Sequence, residues 1–279
     1  CGPEQPMRIA HFNLSDLPVQ ERQEALTAAA TKLQQNLDLA SGGLAQAAIF
    51  ELEPGQSARL LLVLHHLVVD GVSWQILLED LETAYQQLRQ GHAVQLPPKT
   101  SSYQQWAGRL AAFAQSAEVK QDLDFWLRNA PHGPPPLLPD FSDDTTENTT
   151  GSVATVSVAL TPEETEDLIR QVPAAYKTQI NDALLTALLL AFSEQTGTTG
   201  LFFDLEGHGR EALFEEVDLS RTVGWFTSVF PLWLTLPGDA DVGEALVSVK
   251  EQLHQVPRKG LGYGVLRYLS HDRAVREEL

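Results

Sequence analysis

The sequence predicts an α/β protein built as two sandwich-like lobes. Two observations carry that expectation. Segments of period-2 and period-3.6 hydrophobicity alternate along the chain, and a stretch rich in proline and short polar residues interrupts them near the middle. At 279 residues, 43% hydrophobic and 20% charged, the chain has a globular composition and is long enough for a substantial core.

The first lobe, residues 1–130, opens with a segment that reads as irregular as far as Pro18. Leu26, Ala29, Leu33 and Leu37 then fall at helical spacing, which predicts a helix from Glu21 to Leu37. Gln46 to Leu52 and Arg59 to Val69 are apolar and β-branched, with Pro54-Gly55 between them, the pattern of paired strands. After Asp70-Gly71 the period changes to 3.6. Trp74, Leu77, Leu81, Ala84 and Leu88 form one stripe, and Gly91 stands where a helix would end. Two further helices are expected at Tyr103 to Ala114 and Val119 to Leu127.

Residues 131–150 hold five prolines and the run SDDTTENTT. Proline removes backbone donors, and short polar side chains bond locally in preference to a ladder, so this reads as an interlobe linker. The second lobe, 151–279, begins with a strand-like Ser152 to Leu160 carrying Val153, Val156 and Val158. Thr161-Pro162-Glu163-Glu164 is a helix start, with Thr as cap, Pro in the first turn and Glu placed to close a capping box. Thr178 to Gln195 is apolar on most faces, which predicts a buried helix. Strands are expected at Thr199 to Leu205 and Val229 to Leu236, and a helix at Val242 to Gln255.

Net charge is −18, and no Lys/Arg-rich run exists, which excludes nucleic acid as a partner. Cys1 alone supports neither a disulfide framework nor a multi-cysteine metal site. The densest apolar stretch, Ala183 to Phe192, falls short of the ~20 residues that span a bilayer, and the start lacks the layout of a signal peptide. These features predict a cytoplasmic protein that does not engage a membrane. The chain opens on Cys1 and not Met, so it reads as part of something longer.

Chemistry is expected at four places. In His65-His66-Leu67-Val68-Val69-Asp70-Gly71, neighbouring side chains on a strand face opposite ways, so only one histidine can serve a site. Asp70 is placed to lock the following turn or to orient an imidazole, and Gly71 to allow a bend that a Cβ would forbid. No third ligand has the spacing a metal needs. In Glu206-Gly207-His208-Gly209-Arg210-Glu211, Glu206 ends a strand as His66 does in the first lobe. Asp204, Glu206, Glu211, Glu215, Glu216 and Asp218 crowd there, and like charges are expected to raise carboxyl pKa values toward neutrality. Arg221 precedes Trp225 and Phe226 and is expected to pair with a buried carboxylate such as Asp70. Lys259 to Gly264, with Tyr263, is glycine-rich but lacks the Lys-Ser/Thr ending of a phosphate loop, so it shapes a channel or turn. No GxSxG elbow occurs, and a set of His, Glu and Asp suits proton transfer more than covalent catalysis.

These motifs resemble a known family. HHxxxDG at His65 to Gly71 is similar to the signature of the condensation-domain superfamily of nonribosomal peptide synthetases. HHLVVDGVSWQILLEDL, YKTQINDALLTAL, EGHGRE, RTVGWFTSVFP and PRKGLGYG resemble, in order, the motifs of its epimerization domains. Condensation domains carry an Asn-Thr pair where RTVGWFT stands. The resemblance implies two chloramphenicol-acetyltransferase-like lobes set as a V, with the active site in a tunnel between them. It implies His66, the second of the pair, and Glu206 as the catalytic groups, with His65, Asp70, Gly71, Arg221, Trp225 and Tyr263 supporting. Which of His66 and Glu206 is base and which acid stays open. The implied reaction inverts the α-carbon, L to D, of an aminoacyl or peptidyl thioester on the 4′-phosphopantetheine of a carrier domain. No intrinsic cofactor and no metal are implied. The implied partners are that carrier and the adjacent adenylation and downstream condensation domains. The family's N-terminal aromatic motif and its later Phe-Asn-Tyr motif have no counterpart here, which implies a domain incomplete at both ends. A condensation domain, or a docking module without chemistry, is the alternative.

Overall fold

The structure is a computed structural model that describes residues 8–53, 55, 57–129 and 149–279. Strand β1 (Ile9–Asn13) is followed by helix α1 (Val19–Gln35), then β2 (Ala45–Glu51) and β3 (Arg59–Leu64). β1 runs parallel to β2, with Phe12 opposite Phe50, and β2 antiparallel to β3, with Ala48 opposite Leu61. The segment before Pro18, expected to be irregular, thus holds a strand. Its short alternation becomes a strand only because β2 offers a partner. Leu14, Leu33, Ala48, Phe50 and Val63 form the buried centre between α1 and this sheet. Phe12 stacks on Phe50 with ring centroids 5.0 Å apart, and the expected α1 stripe of Leu26, Ala29, Leu33 and Leu37 is the face that packs there.

After β3 come a 3₁₀ turn (His66–Val68) and helix α2 (Gly71–Arg89). Gly91 closes α2 in a left-handed conformation (φ 76°), and the His92 N–H bonds back to the Gln87 carbonyl. Only Ser73 and Ile76 of α2 are buried, and Leu81 and Leu88 of the expected stripe are exposed. Helices α3 (Tyr103–Phe113), α4 (Ala117–Lys120) and α5 (Leu123–Asn129) follow.

Most of the expected linker lies outside the described residues. Ser152 to Leu160 forms no strand. Val156 and Val158 are 91% and 95% exposed, and among the described residues no strand pairs with the segment. Strand propensity has no effect without a neighbour to fill the ladder. The expected helix start does form: α6 (Pro162–Glu166) carries a Thr161/Glu164 capping box and passes through a π-helical turn into α7 (Val172–Tyr176). Helix α8 (Ile180–Thr196) buries one stripe, Asp182, Leu185, Thr186 and Leu189, while Leu184 and Leu188 stay about half exposed. It is therefore not buried all round as expected. Strands β4 (Gly200–Gly207) and β5 (Ser228–Thr235) pair antiparallel, and α9 (Val242–His254) starts at an Asp241/Glu244 capping box. Helices α10 (Leu261–Gly264) and α11 (Arg273–Glu278) end the chain. Among the described residues no helix is long and apolar enough to cross a membrane.

The chain forms two compact units, and they are not contiguous halves. One comprises Cys1–Trp106 with Phe214–Phe226, the other Ala107–Leu213 with Thr227–Leu279. The first boundary falls inside α3, and a stretch of the expected second lobe belongs with the first. The reason is specific bonding. Ser101 N–H donates to the Asp218 carbonyl at 3.0 Å, and the Thr222 hydroxyl donates to the Ser101 carbonyl at 2.7 Å. In the second unit, Phe230, Leu232 and Leu234 of β5 are buried, as are Ala245, Leu246 and Val249 of α9. Trp126, 1% exposed, meets Phe230 and Tyr263 edge-on at 5.9 and 5.4 Å.

Candidate active site

In the first unit the histidine pair does not lie on a strand. β3 ends at Leu64, and His65 leaves the sheet with its N–H donating to the Leu44 carbonyl at 2.9 Å. The Leu67 N–H then donates to His65 Nδ1 at 3.1 Å. This local bond opens the 3₁₀ turn in place of more ladder, a competition typical of short polar side chains. His65 is thereby committed to the backbone. His66, which begins the turn, is exposed, and among the described residues no hydrogen bond or ion pair reaches its imidazole. Its ring contact is with Trp225, edge-on at 5.4 Å and 61°.

Asp70 takes the turn-locking role. It caps α2, accepting the Ser73 N–H on Oδ1 at 2.7 Å, and its Oδ2 accepts the Phe226 N–H at 3.3 Å. Gly71 is not required on steric grounds, because a Cβ there would meet nothing within 4 Å. Arg221 pairs with Glu79 and Asp80 on α2 and not with Asp70. Helical geometry puts those adjacent carboxylates within reach of one guanidinium, whereas both oxygens of Asp70 accept backbone donors.

Sequence reasoning missed Ser73 and Tyr103. Ser73 is fully buried; its hydroxyl donates to the Gly224 carbonyl at 2.9 Å and accepts the Gly224 N–H at 3.0 Å. The Tyr103 hydroxyl donates to the Trp225 carbonyl at 2.9 Å. Burial pushes the Tyr103 phenol above its ordinary pKa, with the Asp70 charge adding to the effect. The one available signal was a serine three residues past a helix cap, and that position is common in helices that bind nothing.

In the second unit Glu206 lies near the end of β4, opposite Val229, with an exposed carboxylate. It borders a cavity of about 330 Å³ lined also by Leu185, Phe230, Asn181 and His254. Glu211, at the same cavity, is bound on both sides, with Lys259 Nζ at 3.1 Å and His208 Nε2 at 3.3 Å. His208 Nδ1 accepts the Arg210 N–H at 3.0 Å, which leaves Nε2 to donate to Glu211. Among the described residues the Glu206 carboxylate has no partner. Asp218, which belongs to the first unit, moves opposite to the expected rise: the Ser220 hydroxyl and N–H bond to its carboxylate and hold it below the ordinary value.

The glycine-rich segment forms a turn, as expected. Arg258, Lys259 and Gly260 are all left-handed (φ 48°, 51° and 89°). A Cβ on Gly260 would lie 1.9 Å from the Phe230 ring. Arg258 holds the turn by two bonds to Asp122, at 2.8 and 2.7 Å, and one to Glu118 at 2.8 Å. Burial raises the Asp122 carboxyl, against the pull of the Arg258 guanidinium. Tyr263 packs on Trp126, and burial raises its phenol. The structure thus gathers His66, Asp70, Arg221 and Trp225 in one unit, and Glu206 and Tyr263 in the other.

A family model described as the condensation domain matches residues 2–279. A linear gramicidin synthase protein of Brevibacillus parabrevis is 46% identical over 278 residues, which are 99% of this chain and 5% of that protein. The crystal structure of the epimerization domain from the third module of tyrocidine synthetase B is 36% identical, with a TM-score of 0.85 over 98% of this chain and 60% of that one. The first condensation domain of the calcium-dependent antibiotic synthetase is 20% identical, with a TM-score of 0.63 over 95% and 57%, a likeness of fold alone.

Proposed function

The chain belongs to the condensation-domain family, and from that premise we propose that it inverts the α-carbon of an aminoacyl or peptidyl thioester carried on the 4′-phosphopantetheine of a synthetase carrier domain. The observation that carries this reading is the unpartnered carboxylate of Glu206 beside a cavity large enough to hold part of a substrate. Peptide-bond formation assisted by His66 has no need of it. Inversion needs two proton-transfer groups, one to take the α-proton and one to return a proton to the opposite face.

A thioester acidifies its α-proton because sulfur donates weakly into the carbonyl. His66 and Glu206 carry the two transfers, and both are free of competing bonds among the described residues. Positioned acid–base groups contribute ~10²–10⁴-fold each, and electrostatic stabilisation of the enolate oxygen supplies much of the remainder. The phosphopantetheine arrives with its carrier, so the partners are the carrier and its neighbouring synthetase domains.

The test uses the full-length synthetase with a carrier loaded with an L-aminoacyl or peptidyl thioester in deuterated water. Expected are α-deuterium incorporation and a D/L mixture; inversion is abolished in both His66→Ala and Glu206→Ala, and exchange from the L substrate is abolished in the variant that lacks the base. Amide formation with a second loaded carrier, and no exchange, would make it a condensation domain. Inversion retained in either variant removes that residue from its role.

A further inference from the structure

We propose that Trp225 is a positioning residue that holds the His66 imidazole in its working orientation, and that Ser73 sets Trp225 in place. The proposal rests on the reading of His66 as an acid–base group. A catalytic imidazole is ordinarily oriented by a hydrogen bond at its second ring nitrogen, to a carboxylate or a carbonyl. Among the described residues His66 has none; its ring contact is Trp225, edge-on at 5.4 Å. Orientation therefore falls to the aromatic face. Edge-to-face packing fixes the plane of a ring while leaving both of its nitrogens open to substrate.

Such a wall works only if it cannot move, and Trp225 is itself 40% exposed. Its backbone is held instead. Gly224 bonds twice to the Ser73 hydroxyl, the Trp225 carbonyl accepts from Tyr103, and the Phe226 N–H donates to Asp70. Three consecutive residues are thus tied to the start of α2 and the start of α3. Position 224 must be glycine for this, since a Cβ would stand 2.3 Å from Tyr103 Cδ2. Asp70 and Ser73, both fixed by the cap of α2, carry the alignment from the His66 turn to the indole.

The experiment compares Trp225→Leu, which is apolar and has no ring, with Trp225→Phe in the full-length synthetase, reading kcat and KM of inversion on a loaded carrier. Trp225→Leu is expected to lower kcat by about 10²-fold with KM unchanged, and Trp225→Phe to restore most of the loss. With 5-fluorotryptophan, the Trp225 resonance, identified by its absence in Trp225→Phe, should shift in His66→Ala and in Ser73→Ala while Trp126 and Trp233 keep theirs. Equal effects of Leu and Phe, a loss confined to KM, or a Trp225 resonance unmoved in Ser73→Ala would overturn the proposal. If Ser73→Ala does not fold, the Leu/Phe comparison and the His66→Ala shift decide. A wild-type synthetase without exchange would sink the epimerization reading instead, and the fluorine shifts alone would then judge the placement of Trp225.

Discussion

Ser73 and Gly224, 151 positions apart, exchange two hydrogen bonds through one buried hydroxyl. Replacing Ser73 with Ala removes the hydroxyl, adds no atom to a fully buried position, and strands the Gly224 N–H and carbonyl without that partner. Leaving buried backbone groups unsatisfied costs roughly 1–3 kcal/mol. Urea denaturation should show that loss as a lower midpoint with an unchanged slope.

Alanine at three glycines separates steric need from sequence habit. At Gly224 the Cβ would lie 2.3 Å from Tyr103, and at Gly260 it would lie 1.9 Å from Phe230 with φ at 89°. Both substitutions should lower the melting temperature clearly. Gly71→Ala adds a Cβ in open space in the first turn of α2. It should be neutral or stabilising, by at most about 1 kcal/mol. A destabilised Gly71→Ala would refute the steric reading.

Arg258→Met leaves Asp122 buried without its guanidinium. Breaking a buried pair costs about 3–5 kcal/mol, and the lower end applies because Arg258 keeps 21% side-chain exposure. The sign with pH follows from the raised Asp122 carboxyl. A carboxyl that binds its proton more tightly when folded adds stability below its ordinary value of 3.8, and this is lost as pH rises through the folded value. The variant should therefore fall furthest below the parent at neutral pH and approach it in acid. A constant gap across that range would exclude Asp122 as the cause.

Glu164 is held below its ordinary value of 4.5, first by the Thr161 N–H and then by the Thr161 hydroxyl. Its contribution to the start of α6 is present above 4.5 and lost as pH falls through the lowered value. Carbon-detected NMR of the carboxyl should give a midpoint under 4.5, moving back toward it in Thr161→Ala as the capping box loosens. An unmoved midpoint would show that the hydroxyl takes no part.

Where a local rule decides, the sequence was readable. The α6 and α9 starts, the α2 end at Gly91 and the extents of β4 and β5 rest on caps, glycine conformation and β-branched or aromatic runs, all of which act within a few residues. Where a distant partner decides, it was not. Ile9–Asn13 is a strand because β2 receives it, while Val153 to Leu160, richer in valine, pairs with nothing described. The site divides the same way. His66, Asp70 and Glu206 stand in motifs that can be read directly. The partner of Arg221 could not be read, since Glu79 and Asp80 lie on α2, more than 140 positions away. The strand expected through Val69 overran because His65 takes a backbone N–H on its own ring.

The assignment of Phe214–Phe226 to the first unit has a consequence for how the protein is made. A ribosome delivers the chain from its N-terminus, and domains generally fold as units while synthesis continues. Here the first unit cannot finish on its own schedule. Until Gly224 emerges, the Ser73 hydroxyl lacks the partner it holds in the finished unit, and much of the second unit's chain must be translated meanwhile. Early truncation products would then offer proteases and chaperones an open first unit, and a gene split between the two units would separate Ser73 from the segment that completes it.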